Sequence, residues 1–331
     1  VVATYLAHLK RRAEVAAGVP IGRLLLGRPV FFVDDDPARD AAAQAALRTA
    51  AQRAGFDDIA FQYEPIAAAF DYERSAEREE KVLVADIGGG TSDFSLVRVG
   101  PRRMDRDDRK DDILANHGVH IAGTDFDRRI ELANVLPSLG YGALGEAGPG
   151  SAAREVPSGV YFDLATWHLV NTVYQPQRVA ELRGMRSFYA DPAQHRRLMS
   201  VVEQRLGHDL LARAEAAKIA VAGGGTSTID LTQVEGGLRS TLDEAHARRA
   251  LSRDLDRIVE AAIETTRQAG LVADAVDALY FTGGSTGLRL LTDRLCAAFP
   301  TARPVRGDRF ASVANGLALA ATRRFGGSQG R

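Results

Sequence analysis

Apolar residues recur at helical spacing from Val1 to Ala17, around a basic patch. Arg23 to Phe32, "RLLLGRPVFF", reads as a buried strand with Pro29 near its end. Pro37 to Ala54 is alanine-rich and helical in pattern, opening on proline and stopping before Gly55. "DIAFQY" is a short strand, and "EPIAAAFDYE" opens a helix with an early proline. Strands at Lys81–Asp86 and Ser92–Val99 are joined by glycines. Pro101 to Asp112 is almost all charge and reads as a solvated loop or hairpin tip. A strand near Ile113–Val119 and a helix from Asp125 to Val135 follow. Gly140 to Gly159 has weak periodicity and reads as a loop or variable insertion, with helical pieces at best up to Ala193. The pattern then predicts one long helix over Gln194–Ala222, a strand at "STIDL" and a helix over Leu242–Ala269. "ALYFTGG" is a strand running into a turn, followed by helices over Thr286–Phe299 and Phe310–Phe325 and a disordered tail at 326–331.

Alternating helices and strands define an α/β class with mixed sheets. At 331 residues the chain is long for one core and reads more easily as two lobes. Two strand-to-glycine units, around Asp86 and Gly283, lie in different halves of the chain, which suits a cleft between lobes. The net charge of −1 gives no bulk attraction to nucleic acid or an anionic membrane. Cys296 is the only cysteine, which excludes an internal disulfide and a cysteine-rich zinc site and fits a reducing cytosol. His117 and His120 are the closest histidine pair, without a further ligand type beside them. No apolar run reaches the roughly 18–20 residues of a membrane helix. Phe310 to Ala321 is too short and is broken by Asn315. The start lacks the basic flank and apolar core of a signal peptide. It opens on Val1 inside a helical pattern, so a fragment of a longer protein is expected.

The chemistry concentrates in "VLVADIGGGTSDFSLVRV", Val82 to Val99. Gly88, Gly89 and Gly90 permit positive φ and remove every Cβ, so backbone N–H groups can converge on an anion. Thr91 adds a hydroxyl. Asp86 and Asp93 would repel a phosphate unless a hard cation such as Mg²⁺ lies between. A hairpin alone needs fewer glycines. No lysine follows, and a strand rather than a helix comes next, so neither a Walker loop nor a dinucleotide fingerprint fits. In "FTGGSTG", Gly283 and Gly284 would let a ligand lie against the backbone, and Ser285 can cap the following helix. "VAGGGTSTIDL" repeats the glycine text without a preceding aspartate and reads as a helix stop.

Six segments together resemble the seventy-kilodalton heat-shock chaperone family of the actin-like ATPase superfamily: "YEPIAAAFDY", "VADIGGGTSDFSL", "IAGTDFDRRI", "AEAAKIAVA", "FTGGSTGLRLL" and "ASVANGLALA". The match runs in the family's order and covers most of the chain outside about 139–195. The resemblance implies an actin-like (ribonuclease-H-like) fold, two lobes around a nucleotide cleft, the first lobe incomplete. It divides the chain into 1–122, the rest of the first lobe with the second phosphate loop; 123–281, the second lobe with its insertion; and 282–325, the closing nucleotide turn and last helices. It implies ATP or ADP with Mg²⁺. Glu64 would position the attacking water or a metal-bound water. Asp86 would hold Mg²⁺ through water or act as a base, with Asp93 supporting the same shell. Gly88, Gly89, Gly90 and Thr91 would hold phosphate. Glu215 and Lys218 would flank the adenosine, with Gly283, Gly284 and Ser285 on the opposite side. Such residue types suit phosphoryl chemistry, which depends on positioning and charge neutralisation.

Ala222 stands where the family has serine, and Ala122 where it has glycine. The family's first phosphate loop and catalytic lysine are expected upstream of Val1. No peptide-binding β-domain is visible, so short bacterial chaperone-like members are nearest. The implied function is a cytoplasmic ATP-binding chaperone-like protein, hydrolysing ATP when full length, with a protein client or co-chaperone that the sequence does not name. Two alternatives share the fold. A bacterial cell-shape filament protein carries similar loops but tolerates the 139–195 insertion poorly. A small-molecule kinase needs a substrate-side base that is not evident.

Overall fold

The computed structural model describes residues 1–33, 36–74, 76–104, 106, 108–146 and 152–326; of the tail expected at 326–331, Gly326 ends the helix Ser312–Gly326 and 327–331 lies outside the described residues. Nine strands are formed among them: β1 (Arg23–Arg28), β2 (Asp58–Tyr63), β3 (Glu80–Ile87), β4 (Ser92–Val99), β5 (Ile113–Val119), β6 (Thr226–Asp230), β7 (Arg239–Asp243), β8 (Ala278–Thr282) and β9 (Arg303–Arg306). The central sheet has the order β5-β4-β3-β8-β9, antiparallel from β5 to β3 and parallel from β3 to β9. β1 and β2 form a separate parallel pair, and β6–β7 a hairpin.

Period-two alternation gives the central sheet two faces. Leu83, Ala85, Ile87, Phe94 and Leu96 face the large core, which also takes Leu251, Leu255 and Ile258 of the helix Glu244–Gln268. Val82, Val84, Val97 and Val99 face a second core with Ile66, Ala67 and Phe70 of the helix Glu64–Glu73. That helix is crossed by the helix Ser312–Gly326, and the crossing is tight at Gly316, where a methyl group would overlap the Ala67 carbonyl. β1 and β2 pack with the helices Val2–Ala17 and Pro37–Arg53 through Leu6, Ala51, Phe56 and Ile59.

Several expectations change. The strand from Arg23 ends at Arg28, because Pro29 carries no N–H for a ladder and Arg28 folds back onto the Pro29 and Val30 carbonyls, both at 3.0 Å. The long helix expected over Gln194–Ala222 is two, Pro192–Glu203 and Gly207–Ala220. Arg205 takes φ 56° at the break, and Gly207 fits against Val170 and Tyr174, whose hydroxyl accepts the Gly207 N–H at 2.9 Å. The helix expected from Asp125 starts at Gly123, widens to a π-turn at Glu131–Val135 and is stopped by Gly140 at φ 102°. Glu131 is fully buried there, and burial raises its pKa well above the usual carboxylate range. The helix expected from Thr286 is a 3₁₀ turn, Gly284–Gly287, followed by Arg289–Ala298, and the helix expected from Phe310 begins at Ser312. The 139–195 insertion contributes short helices whose Val160, Tyr161, Leu164 and Leu182 join the large core.

The charged run 101–112 is not simply solvated. Arg109 and Asp112 are buried, at 2% and 1% exposure, because each finds an opposite charge.

Candidate functional site

The β3–β4 hairpin sets Asp86 directly opposite Asp93, so the two carboxylates share one face of the sheet. β5 places Gly118 beside Asp93, and β8 places Thr282 beside Asp86. A side chain at Gly118 would come within 2.5 Å of Asp93 Oδ1, so glycine makes room for the carboxylate. Glu64 enters the same space from the N-terminal end of the helix Glu64–Glu73, after Tyr63 ends β2 in extended geometry. Gly27 on β1 clears its path, since a Cβ there would lie 3.0 Å from Glu64 Oε1. Gly27 and Gly118 were not legible as site residues, because each is recognisable only from the strand register.

Like charges and burial act together here. Burial first, then Asp86 and Asp93, raises the Glu64 pKa above its ordinary value. Burial first, then Asp93, raises that of Asp86. Glu64, Asp86, Asp93 and Thr91 line one cavity of about 1190 Å³. Its opposite wall is the loop after β1, shaped by Arg28, which pairs with Asp40 at 3.0 Å and lies between the rings of Phe32 and Tyr63. Among the described residues, no three acidic, histidine or cysteine side chains converge closely enough to ligate a metal directly.

The loop Gly88–Thr91 closes the hairpin with a Gly88 N–H to Thr91 carbonyl bond of 3.0 Å. Its glycines do not use positive φ, contrary to expectation. What they provide is space: a Cβ at Gly89 or Gly90 would meet nothing within 4 Å. The loop carbonyls are turned away and tied. Gly88 O accepts from Gly123 N–H at 3.2 Å and from Ser285 Oγ at 2.7 Å; Gly89 O accepts from Thr124 N–H at 2.8 Å and Thr124 Oγ at 2.8 Å. Among the described residues, the Gly89 and Gly90 N–H groups have no acceptor. Anchored carbonyls and free amides facing open space are what an anion needs.

Both glycine turns follow neighbouring parallel strands, β3 and β8, and so meet at one end of one sheet. Ligands of open α/β sheets collect outside such strand ends. Gly283, at φ 85°, packs on the end of β3, where any side chain would overlap the Ile87 carbonyl. Gly284 faces the Phe310 ring. Ser285 does not cap the following helix; its hydroxyl supports the first loop through Gly88. This second turn lies outside the cavity lining, as do Gly88, Gly89 and Gly90. Lys218, on the helix Gly207–Ala220, is 2.6 Å from the Asp127 carboxylate and donates to Gly123 O at 3.4 Å. Glu215 is exposed one turn earlier on that helix. These two also lie outside the cavity, on the far side of the Gly88–Gly123 contact. "VAGGGTSTIDL" ends that helix and turns into β6, as a helix stop should.

A mixed α/β protein thus presents an acidic cavity beside a bare glycine loop. Residues 1–133 match the family model described as Hsp70 protein. A chaperone protein DnaK of Thermosipho melanesiensis is 38% identical over 127 residues, and one of Thermosipho africanus is 36% identical over 127. Each alignment covers 38% of this chain and 19% of the relative, so the matched stretch spans about a fifth of the relatives' length. Over its first 133 residues the chain is thus similar to Hsp70 proteins. No helix among the described residues is long and apolar enough to cross a membrane.

Proposed function

We propose that this chain forms the nucleotide-cleft portion of an actin-like, chaperone-type ATPase that takes ATP or ADP with Mg²⁺. The observation that supports this best is the convergence of Glu64, Asp86 and Asp93 on one cavity beside the Gly89 and Gly90 amides, which have no acceptor among the described residues. Mg²⁺ would neutralise the carboxylates and bridge to phosphate. Asp86 would hold it through water, with Asp93 supporting the same shell. Glu64 would orient a water, and its raised pKa suits a group that handles protons nearer neutrality. Gly88 to Thr91 would hold phosphate, and Glu215 and Lys218 would flank the nucleoside. Gly283, Gly284 and Ser285 act on this reading mainly by supporting the loop. The sheet order favours a lobe boundary between Glu73 and Glu80 over one at 122. The similarity to Hsp70 proteins supports hydrolysis, a client protein, a co-chaperone and a cytoplasmic location for the full-length protein.

Calorimetric titration of the full-length protein with Mg·ADP and Mg·ATP tests the reading. Binding that requires Mg²⁺ and is strongly weakened in Asp86→Ala supports it. Binding unchanged by that substitution, or no binding at all, overturns it. ATP-dependent pelleting would favour a filament, and phosphoryl transfer to a small molecule would favour a kinase.

A further inference from the structure

The far end of the Glu64-bearing helix is held by ionic contacts that the site chemistry does not use. Glu73, its last residue, is 1% exposed. Arg109 reaches it with two parallel bonds, Nη1 to Oε2 at 3.0 Å and Nη2 to Oε1 at 2.9 Å. The same guanidinium binds Asp112 through Nε, donates to the Arg98 carbonyl at 3.3 Å and lies 5.7 Å from the Phe70 ring centroid. Glu73 Oε1 also accepts the Gly100 N–H at 2.9 Å. Asp112 binds Arg103, which reaches Glu79 at 2.8 Å. The cluster therefore joins the helix to the end of β4, the turn before β5 and the entry to β3. On the other side of the same turn, Tyr72 contacts Glu80, and Arg303 donates to the Tyr72 hydroxyl at 2.5 Å.

A fork of two guanidinium bonds fixes direction as well as distance. The helix has only 10 residues, so a rise of about 1.5 Å per residue puts its ends roughly 15 Å apart. A rod that short transmits a rotation at one end directly to the other. Its N-terminal end carries Glu64, and the strands at its C-terminal end, β3 and β4, carry Asp86 and Asp93. We propose that Arg109 is a positioning residue: with Glu73 and Asp112 it locks the helix Glu64–Glu73 against the central sheet and so holds Glu64 beside Asp86 and Asp93. The role of Glu64 in this statement rests on the proposed function, but the lock itself does not.

Glu73→Met/Arg109→Met removes the lock without stranding a buried charge, because Asp112 keeps Arg103. The test compares amide hydrogen exchange along the helix Glu64–Glu73 with that of β3 and β4. The expected result is that the helix amides, from its N-terminal turn onward, exchange faster while those of β3 and β4 exchange as before. Mg·ADP affinity should fall with it, about tenfold. A general loss of stability would instead speed helix and sheet together. Arg109→Lys, which keeps the charge without the fork, should give an intermediate change, and it serves as the readout if the double variant does not fold. Helix exchange as in the parent in either folded variant overturns the proposal. A parent protein that binds no Mg·ADP refutes the proposed function but leaves the exchange comparison to decide the lock.

Discussion

The two ends of one helix treat their carboxylates in opposite ways. At its C-terminal end, Glu73 meets Arg109, which also takes Asp112. At its N-terminal end, half-buried Glu64 meets two more carboxylates, Asp86 and Asp93, and among the described residues no cation pairs with it. Burying a charge is costly unless it is paired, so the first arrangement is what folding alone would select. The second is tolerated at a loss of stability. Such a loss, located in a cavity, points to a ligand that removes it. Compensation thus differs between the two ends of 10 residues of sequence.

The comparison can be broken at its strong end first. Arg109→Ala leaves Glu73 buried without its fork, and chemical denaturation should show about 3–5 kcal/mol of lost stability. A loss near that of an exposed pair, under about 1 kcal/mol, would mean that the cluster is not holding the helix. At the other end, Asp86→Ala should cost little stability and instead weaken Mg·ADP binding by roughly 10–100-fold in calorimetry. Gly118→Ala pushes a methyl group towards Asp93 Oδ1; a loss of about 1–3 kcal/mol is expected, together with weaker Mg²⁺ dependence of binding.

The smallest effect is the pH dependence. The unfolded chain releases the Glu64 and Asp86 protons at ordinary carboxylate pH, whereas the folded protein holds them to higher pH. The folded state therefore binds more protons within that window, and its stability falls as pH rises from the ordinary to the raised values. Thermal melts without divalent cation should show this slope, and Asp86→Asn should flatten it. Mg²⁺ with nucleotide should stabilise most above the window, where the carboxylates are charged. Equal stabilisation below the window would separate the cation from these groups.

The acidic end was legible in the sequence because hairpin logic suffices: strands around a glycine turn put Asp86 and Asp93 face to face. The paired end was not. Nothing in "PRRMDRDDRKDD" says which arginine will be drawn inward, because that depends on Glu73, 36 residues earlier, and on a β4–β5 register that composition does not encode. The same limit hid Gly27 and Gly118, whose importance is a cross-strand neighbour. It also hid the break at Arg205, where local propensity favours a continuous helix and the close fit of Gly207 against Tyr174 overrides it. The placement of Gly283 and Ser285 had a sequence signal, glycines after an apolar strand, but not the fact that β8 lies next to β3.

That adjacency has a consequence for how the protein is made. The Ser285 hydroxyl that anchors the Gly88 carbonyl comes from 197 residues further along the chain. The β3–β4 hairpin can close early, from local contacts alone. Its loop gains its outer support only when β8 has been synthesised and has inserted beside β3. Long-range pairings of this kind form late and slowly. A nascent or truncated chain would thus carry the complete "VADIGGGTSDFSL" text yet hold an unsupported loop, and competence to bind would arrive near the end of folding.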